Sequence, residues 1–283
     1  MPRYHKFSDL LWDLQELRID TELLLVFGGT AEGRMLAQSG LPMVYSVVSE
    51  EALDGIDERP DLYVNIGPLD YNKVFSIVSH PRISAIIDAS HPYAAEISAS
   101  ASTAAQSLSK YIVRLERSIE PTHQNEAYAD LDIHEVSSAE EAAHLIEQDY
   151  KDSTIFLSTG SKHLNEYVDY GLLDALRVRV LDTEASIAAA REAGIQDSHI
   201  YRGKGPFSVE ENLRDFSDAS VLVTKMSGAQ GGYQAKLEAA KRLGMSVIVI
   251  QPPKASFAHK TFFDVEETIA WAWTSMPKHQ QKD

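Results

Sequence analysis

From residue 23 onward, short apolar runs alternate with stretches of helical period. The runs Leu23–Phe27, Met43–Val48, Tyr63–Ile66, Ala85–Ala89 and Tyr111–Leu115 predict one set of strands. A second set is predicted at Asp132–Val136, Thr154–Leu157, Arg177–Leu181, His199–Arg202, Val221–Thr224 and Val247–Ile250. Helical stretches begin near Ala31, Asp70, Pro92, Ser138, Lys162, Thr183, Ser208 and Gly231, and Asp264–Thr274 reads as a last helix. Strands that are apolar on both faces, each followed by a helix, mean parallel sheets covered on both sides. The pattern breaks over Glu116–Asp130, which holds Pro121 and no apolar period, so a linker is expected there. The predicted fold is therefore α/β with two Rossmann-like lobes, residues 21–118 and 119–283, the second including the C-terminal helix. A site is expected in the cleft between them. Ahead of both, Leu10, Leu11, Leu14 and Leu17 form one stripe within residues 1–20. They predict a short amphipathic helix, capped by Ser8 or Asp9, that covers the body or meets a partner.

Composition narrows the partners. The 283 residues carry 26 Lys plus Arg against 42 Asp plus Glu, a formal charge of −16. Such a surface repels nucleic-acid phosphates and anionic membranes. No apolar run approaches the ~18 residues of a membrane span, and acidic residues interrupt any leader-like stretch at the N-terminus, so a cytoplasmic location is expected. The chain has no cysteine, which excludes disulfides, thiolate nucleophiles and cysteine-held metal clusters. No metal site is predicted.

Open parallel sheets bind ligands beyond the carboxyl ends of their strands. The first strand ends in Gly28-Gly29-Thr30-Ala31-Glu32-Gly33-Arg34, and a helix follows. Gly28, Gly29, Thr30, Glu32 and Gly33 are candidates for a phosphate-cradling turn, although the middle glycine of the dinucleotide fingerprint is replaced by Thr30. About 20 residues on, Ser49-Glu50-Glu51 ends the second strand, where Glu50 could accept from an adenosine ribose hydroxyl. The fourth strand ends in Asp88-Ala89-Ser90-His91-Pro92-Tyr93. His91 and Tyr93 are candidate proton donors, with solvent also open, and Asp88 and Ser90 are candidate substrate contacts. Arg114 and Arg117 follow at the next strand end. In the second lobe, Ser161 and Lys162, Lys204, and the run Lys225-Met226-Ser227-Gly228 stand at three strand ends. Lysines beside Gly and Ser in an acidic protein point to a small anionic ligand.

Several chemistries are missing from the chain. No tyrosine has a lysine four residues later, no histidine has another at two or four residues, and neither a G-x-x-x-x-G-K-[ST] loop nor a G-x-S-x-G elbow occurs. The segments GGTAEGR at 28–34, DASHPYAAEIS at 88–98, RLER at 114–117, STGSKHL at 158–164, GKGPFS at 203–208 and TKMSGAQGG from 224, with Lys236 after it, resemble the precorrin-6A reductase family, including its cobalt-precorrin-6A branch. The resemblance runs from about residue 22 to 252 and departs at Met226, where relatives often carry an acidic residue. It implies two Rossmann-like lobes and reduction of one ring double bond of a corrin precursor by NADH or NADPH, in cobalamin biosynthesis. The absence of Lys or Arg between Arg34 and Arg59 leans toward NADH, with Arg34 the cation that could still reach a 2′-phosphate. The ring's carboxylates would then be met by Arg114, Arg117, Lys162, Lys204 and Lys225. Two other readings stay open: a non-catalytic two-lobe protein that holds a small anionic ligand, and a sugar-nucleotide transferase. Oligomeric state is not encoded in any visible pattern.

Overall fold

Alternation of buried side chains decides the architecture. In the computed structural model, which describes residues 1–16, 22–116, 126–226, 232–253 and 256–275, strand β2 (Leu23–Phe27) sends Leu24 and Val26 into one apolar cluster and Leu23, Leu25 and Phe27 into another. Both faces of the strand are covered, as its unbroken apolar run requires.

The chain divides into two units, Met1–Arg117 with Lys254–Asp283, and Ser118–Pro253. The first unit holds β1 (Arg3–Tyr4), β2, β3 (Met43–Val47), β4 (Leu62–Ile66), β5 (Ile83–Asp88), β6 (Tyr111–Leu115) and β13 (Lys260–Phe262), in the order β1-β4-β3-β2-β5-β6-β13. Every pairing is parallel. Without β1 this is the doubly wound 3-2-1-4-5-6 order, with its switch point between β2 and β5. Helices α2 (Ala31–Gln38) and α10 (Val265–Ser275) fill one face through Leu36, Ala37, Val265 and Ala272. Helices α1 (Phe7–Glu16), α3 (Tyr71–Val78) and α4 (Ala95–Ser107) fill the other through Leu10, Leu14, Val74, Ile77, Ala101 and Ala104.

The second unit holds β7 (Ile133–Val136), β8 (Ile155–Leu157), β9 (Leu176–Val180), β10 (Ile200–Arg202), β11 (Val221–Lys225) and β12 (Ser246–Ile250), in the order β10-β9-β8-β11-β12-β7, again all parallel. Its switch point lies between β8 and β11. Helices α5 (Ala139–Asp149), α6 (Leu164–Asp169), α7 (Glu184–Glu192), α8 (Val209–Asp215) and α9 (Tyr233–Leu243) connect the strands. Side-chain caps start most of the helices that follow a strand. Thr30, Asp70, Ser138, Thr183 and Ser208 each accept the backbone N–H three residues on, and Ser208 forms a full capping box with Glu211.

Several expectations are corrected. The C-terminal helix, expected in the second lobe, belongs to the first unit: an unexpected strand, β13, pairs with β6, and α10 packs on the first unit's apolar cluster. Helix α4 starts at Ala95 rather than Pro92, because the Ala94 N–H closes a turn onto the His91 carbonyl. Helix α6 likewise starts at Leu164, two residues after Lys162. Helix α1 starts at Phe7, so Ser8 and Asp9 lie inside its first turn and are not its caps. Its buried Leu10 and Leu14 pack on the first unit's own core, while Leu17 and most of the expected linker lie outside the described residues.

Candidate functional site

Two groups of residues stand at the two switch points. In the first unit, the turn after β2 is shaped from below by Tyr45 of β3. A Cβ on Gly28 would fall 2.2 Å from the Tyr45 ring, and one on Gly33 would meet the Gly28 Cα at 3.1 Å and the Tyr45 hydroxyl at 3.2 Å. These two glycines let the turn lie flat on the tyrosine and close against α2. Gly29 is different. Its φ is +103°, and a Cβ there would meet nothing within 4 Å. Its backbone faces open space in a conformation glycine adopts freely, as close approach of a phosphate requires. Thr30 ties the turn down. Its Oγ1 accepts from the Gly33 N–H at 3.0 Å and donates to the Ala89 carbonyl at 2.9 Å, which joins the ends of β2 and β5. Burial raises the Tyr45 hydroxyl pKa to about 12, offset in part by the Gly29 amide and Arg34, so the phenol stays neutral. Glu32 lies in the first turn of α2, and Glu50 is exposed just after β3.

The loop after β5 holds two layers. Below, Arg114 is only 6 % exposed. Its Nη1 contacts Asp88 Oδ2 at 2.5 Å, Ser90 Oγ at 3.2 Å and Ser98 Oγ at 3.0 Å. Its Nη2 donates to the Ser90 carbonyl, and its Nε reaches Glu116 Oε1 at 3.3 Å. Asp88 Oδ1 accepts from both the amide and the hydroxyl of Ser90. Asp88, Ser90 and Arg114, expected to meet substrate, are buried against one another and hold the loop in place. Above them, His91 is exposed and Tyr93 half-buried, their rings 5.7 Å apart. His91 Nδ1 accepts the Tyr93 amide at 3.3 Å.

In the second unit the switch point gathers cations. Lys162 follows β8 through the Gly160 turn, and Lys225 ends β11. Burial pushes the Lys225 ammonium below its ordinary pKa, and the nearby Lys162 charge pushes it further. Lys236, four residues after the TKMSGAQGG segment, lies in the first turn of α9. Burial and the charge of Arg179 lower its pKa to about 8. Its Nζ donates to Thr224 Oγ1 at 3.4 Å, and Lys162 and Lys236 form no ion pair with a described residue. A lysine at a helix N-terminus opposes the macrodipole, and this was the one signal in the sequence that could have singled it out. Arg179 is the buried anchor. It donates to Asn212 and Asp215 at 2.8 Å each and lies 4.1 Å from the Phe207 ring centroid, which pins the 203–208 loop. Ser161 is half-buried beside Lys162. Lys204 is exposed after β10, the edge strand, two strands from β8 and apart from the other lysines. Met226 is buried in an apolar cluster with Phe156, Phe216 and Tyr233. Arg117, Ser227 and Gly228 lie outside the described residues.

The comparisons agree with this layout. The family described as "Precorrin-6x reductase CbiJ/CobK" matches residues 23–273. A cobalt-precorrin-6A reductase of Priestia megaterium is 31 % identical over 258 residues, covering 87 % of this chain and 98 % of the relative. A precorrin-6A reductase of Rhodococcus erythropolis is 32 % identical over 259 residues, covering 89 % and 97 %. Among solved structures, a precorrin-6A reductase termed CobK matches with a TM-score of 0.69 at 24 % identity, over 90 % of this chain and 97 % of that one. With two doubly wound parallel sheets and a family match over nearly the whole chain, the protein belongs to the precorrin-6x reductase family.

Proposed function

We propose that this chain is a nicotinamide-dependent oxidoreductase that reduces one ring double bond of precorrin-6A or its cobalt form, a step of cobalamin biosynthesis. The observation that carries the reading is an open glycine turn at one switch point and, at the other, two lysines that burial holds below their ordinary pKa.

The turn at Gly29 and Thr30 fits a dinucleotide phosphate, since a Cβ would intrude where the backbone must be approached. Gly28, Gly29, Thr30 and Gly33 would hold the nucleotide, with Glu32 beside them and Glu50 at the ribose. Glu50 and the lack of Lys or Arg between Arg34 and Arg59 favour NADH. When bound, the dihydronicotinamide supplies the hydride. Ser161, Lys162, Lys225 and Lys236 would hold ring carboxylates, each through a charge-assisted hydrogen bond. His91 and Tyr93, side by side after β5, would be the candidate donors of the proton added beside the reduced carbon, with solvent as the third source.

The test is to mix the purified protein with NADH or NADPH and either precorrin-6A or cobalt-precorrin-6A and follow the 340 nm absorbance. ~One nucleotide consumed per ring reduced is expected. A protein that binds a single anionic ligand and oxidises no nucleotide with either ring is a binding protein, and the reading fails.

A further inference from the structure

The first 16 residues lie ahead of the family match, which begins at residue 23. They are built into the first unit nonetheless. The Pro2 carbonyl accepts the Val64 N–H at 2.9 Å, and β1 runs parallel to β4 with Tyr4 level with Asn65. Tyr4 is 7 % exposed and donates to Asp13 of α1 at 2.6 Å. Met1 packs on the apolar cluster of α2 and α10. The segment thus adds one more strand outside the doubly wound set, and because β1 is parallel its next residue emerges at the carboxyl edge of the sheet, the ligand edge.

That next residue is His5. Its Nε2 lies 3.1 Å from Glu50 Oε1, with both side chains more than half exposed. Between β1 and β3 stands only β4, which ends in Gly67, where a Cβ would meet nothing within 4 Å. Glu50 follows the strand after the glycine turn, the position from which a carboxylate in this topology meets the adenosine ribose. A lone carboxylate there accepts from a 2′-hydroxyl and repels a 2′-phosphate. Here the carboxylate has an imidazole against it, a nitrogen donor of a kind that the residues between Arg34 and Arg59 do not supply.

We propose that the segment ahead of the family core is part of the nucleotide site, with His5 serving as the 2′-phosphate partner that admits NADPH beside NADH. The inference rests on the proposed placement of the nucleotide at the Gly29 turn. The exposed His5 ring presents an N–H donor to a 2′-phosphate, while Glu50 keeps its acceptor for a 2′-hydroxyl. The exposed pair contributes little to folding, so its substitution leaves the fold intact and reads out in binding.

The experiment titrates the full chain and the variants His5→Ala, His5→Lys, Glu50→Gln and Gly29→Val with NADPH and NADH in the absence of ring substrate. His5→Ala is expected to weaken NADPH about tenfold and NADH less than twofold, the loss of one charge-assisted contact. His5→Lys should retain NADPH binding, since an N–H donor is restored, and Glu50→Gln should weaken NADH alone. If His5→Ala leaves the ratio of the two affinities unchanged while Glu50→Gln and Gly29→Val shift binding, His5 has no part in recognition and the nucleotide placement stands. If no variant changes either affinity, the nucleotide is not at this turn, and the placement falls together with the role of His5.

Discussion

Both sheets reverse strand order at a central pair, β2 and β5 in the first unit and β8 and β11 in the second, and the groups at the two carboxyl edges differ in kind. At the first, charge is settled. Arg114 and Asp88 are buried together, Thr30 bridges the two strand ends, and the open feature is the uncharged backbone at Gly29. At the second, charge is unsettled. Lys225 and Lys236 are held below their ordinary pKa by burial and by neighbouring cations, while Asp215 is taken up by Arg179 and Arg214. One topology thus yields two different hosts. A backbone turn at a helix start suits the phosphates of a nucleotide, whereas point cations in a partly dry setting suit carboxylates that arrive with their own charge. In a chain of net charge −16, such a cluster is a local exception and not a general surface property.

The largest effect expected from breaking this contrast is on stability. Arg114→Ala leaves Asp88 buried without its cation and should cost about 3–5 kcal/mol, read from the urea midpoint. Unchanged stability with a raised KM for the ring would return Arg114 to the substrate. Next, replacing Lys225 with Ala should raise KM for the ring by the loss of a contact worth about 1.5–3 kcal/mol, in steady-state assays at fixed nucleotide. A raised KM for nucleotide alone would reassign the residue.

Lys236 adds a pH signature with a definite sign. Its folded pKa of about 8 lies below the ordinary lysine value. Between the two, the unfolded chain binds more protons, so this group makes stability rise with pH across that window. Anion binding needs the ammonium, so kcat/KM for the ring should fall as pH passes about 8. Lys236→Met should remove that limb and lower the plateau. A falling limb that persists in the variant belongs to another group. The smallest effect is expected at Thr30. Thr30→Ala removes a helix cap worth about 1 kcal/mol together with the bridge to Ala89, and a thermal melt should register the loss.

Much of this arrangement is legible in the sequence, and the parts that are not share a cause. Strands buried on both faces, such as Leu23–Phe27 and Val247–Ile250, announce themselves as unbroken apolar runs and match the predicted ones to within about a residue. β1 and β13 give no such signal, because a two- or three-residue edge strand is held by backbone hydrogen bonds and exposes much of its surface. Missing β13 is what misplaced the C-terminal helix, since order along the chain does not disclose that the last strand returns to the first sheet. At the site, the glycine turn stands out by composition, but the reason for Gly28 and Gly33 is the Tyr45 ring beneath them, a contact from another strand. Arg114 reads as a free cation because the sequence shows charge and not burial. Lys236 reads as one of several helix lysines until its seat against Thr224 and Arg179 is seen.

The division between the two switch points is tested most directly by a crossed binding measurement. Gly29→Val and Lys236→Met are each titrated separately with NADH and with the ring substrate, alongside circular dichroism to confirm that both variants are folded. The predicted result is a crossed loss, in which Gly29→Val weakens the nucleotide and spares the ring, and Lys236→Met weakens the ring and spares the nucleotide. A Lys236→Met protein that loses NADH and keeps the ring, or a Gly29→Val protein that does the reverse, would contradict the assignment of the two ligands to the two sheets.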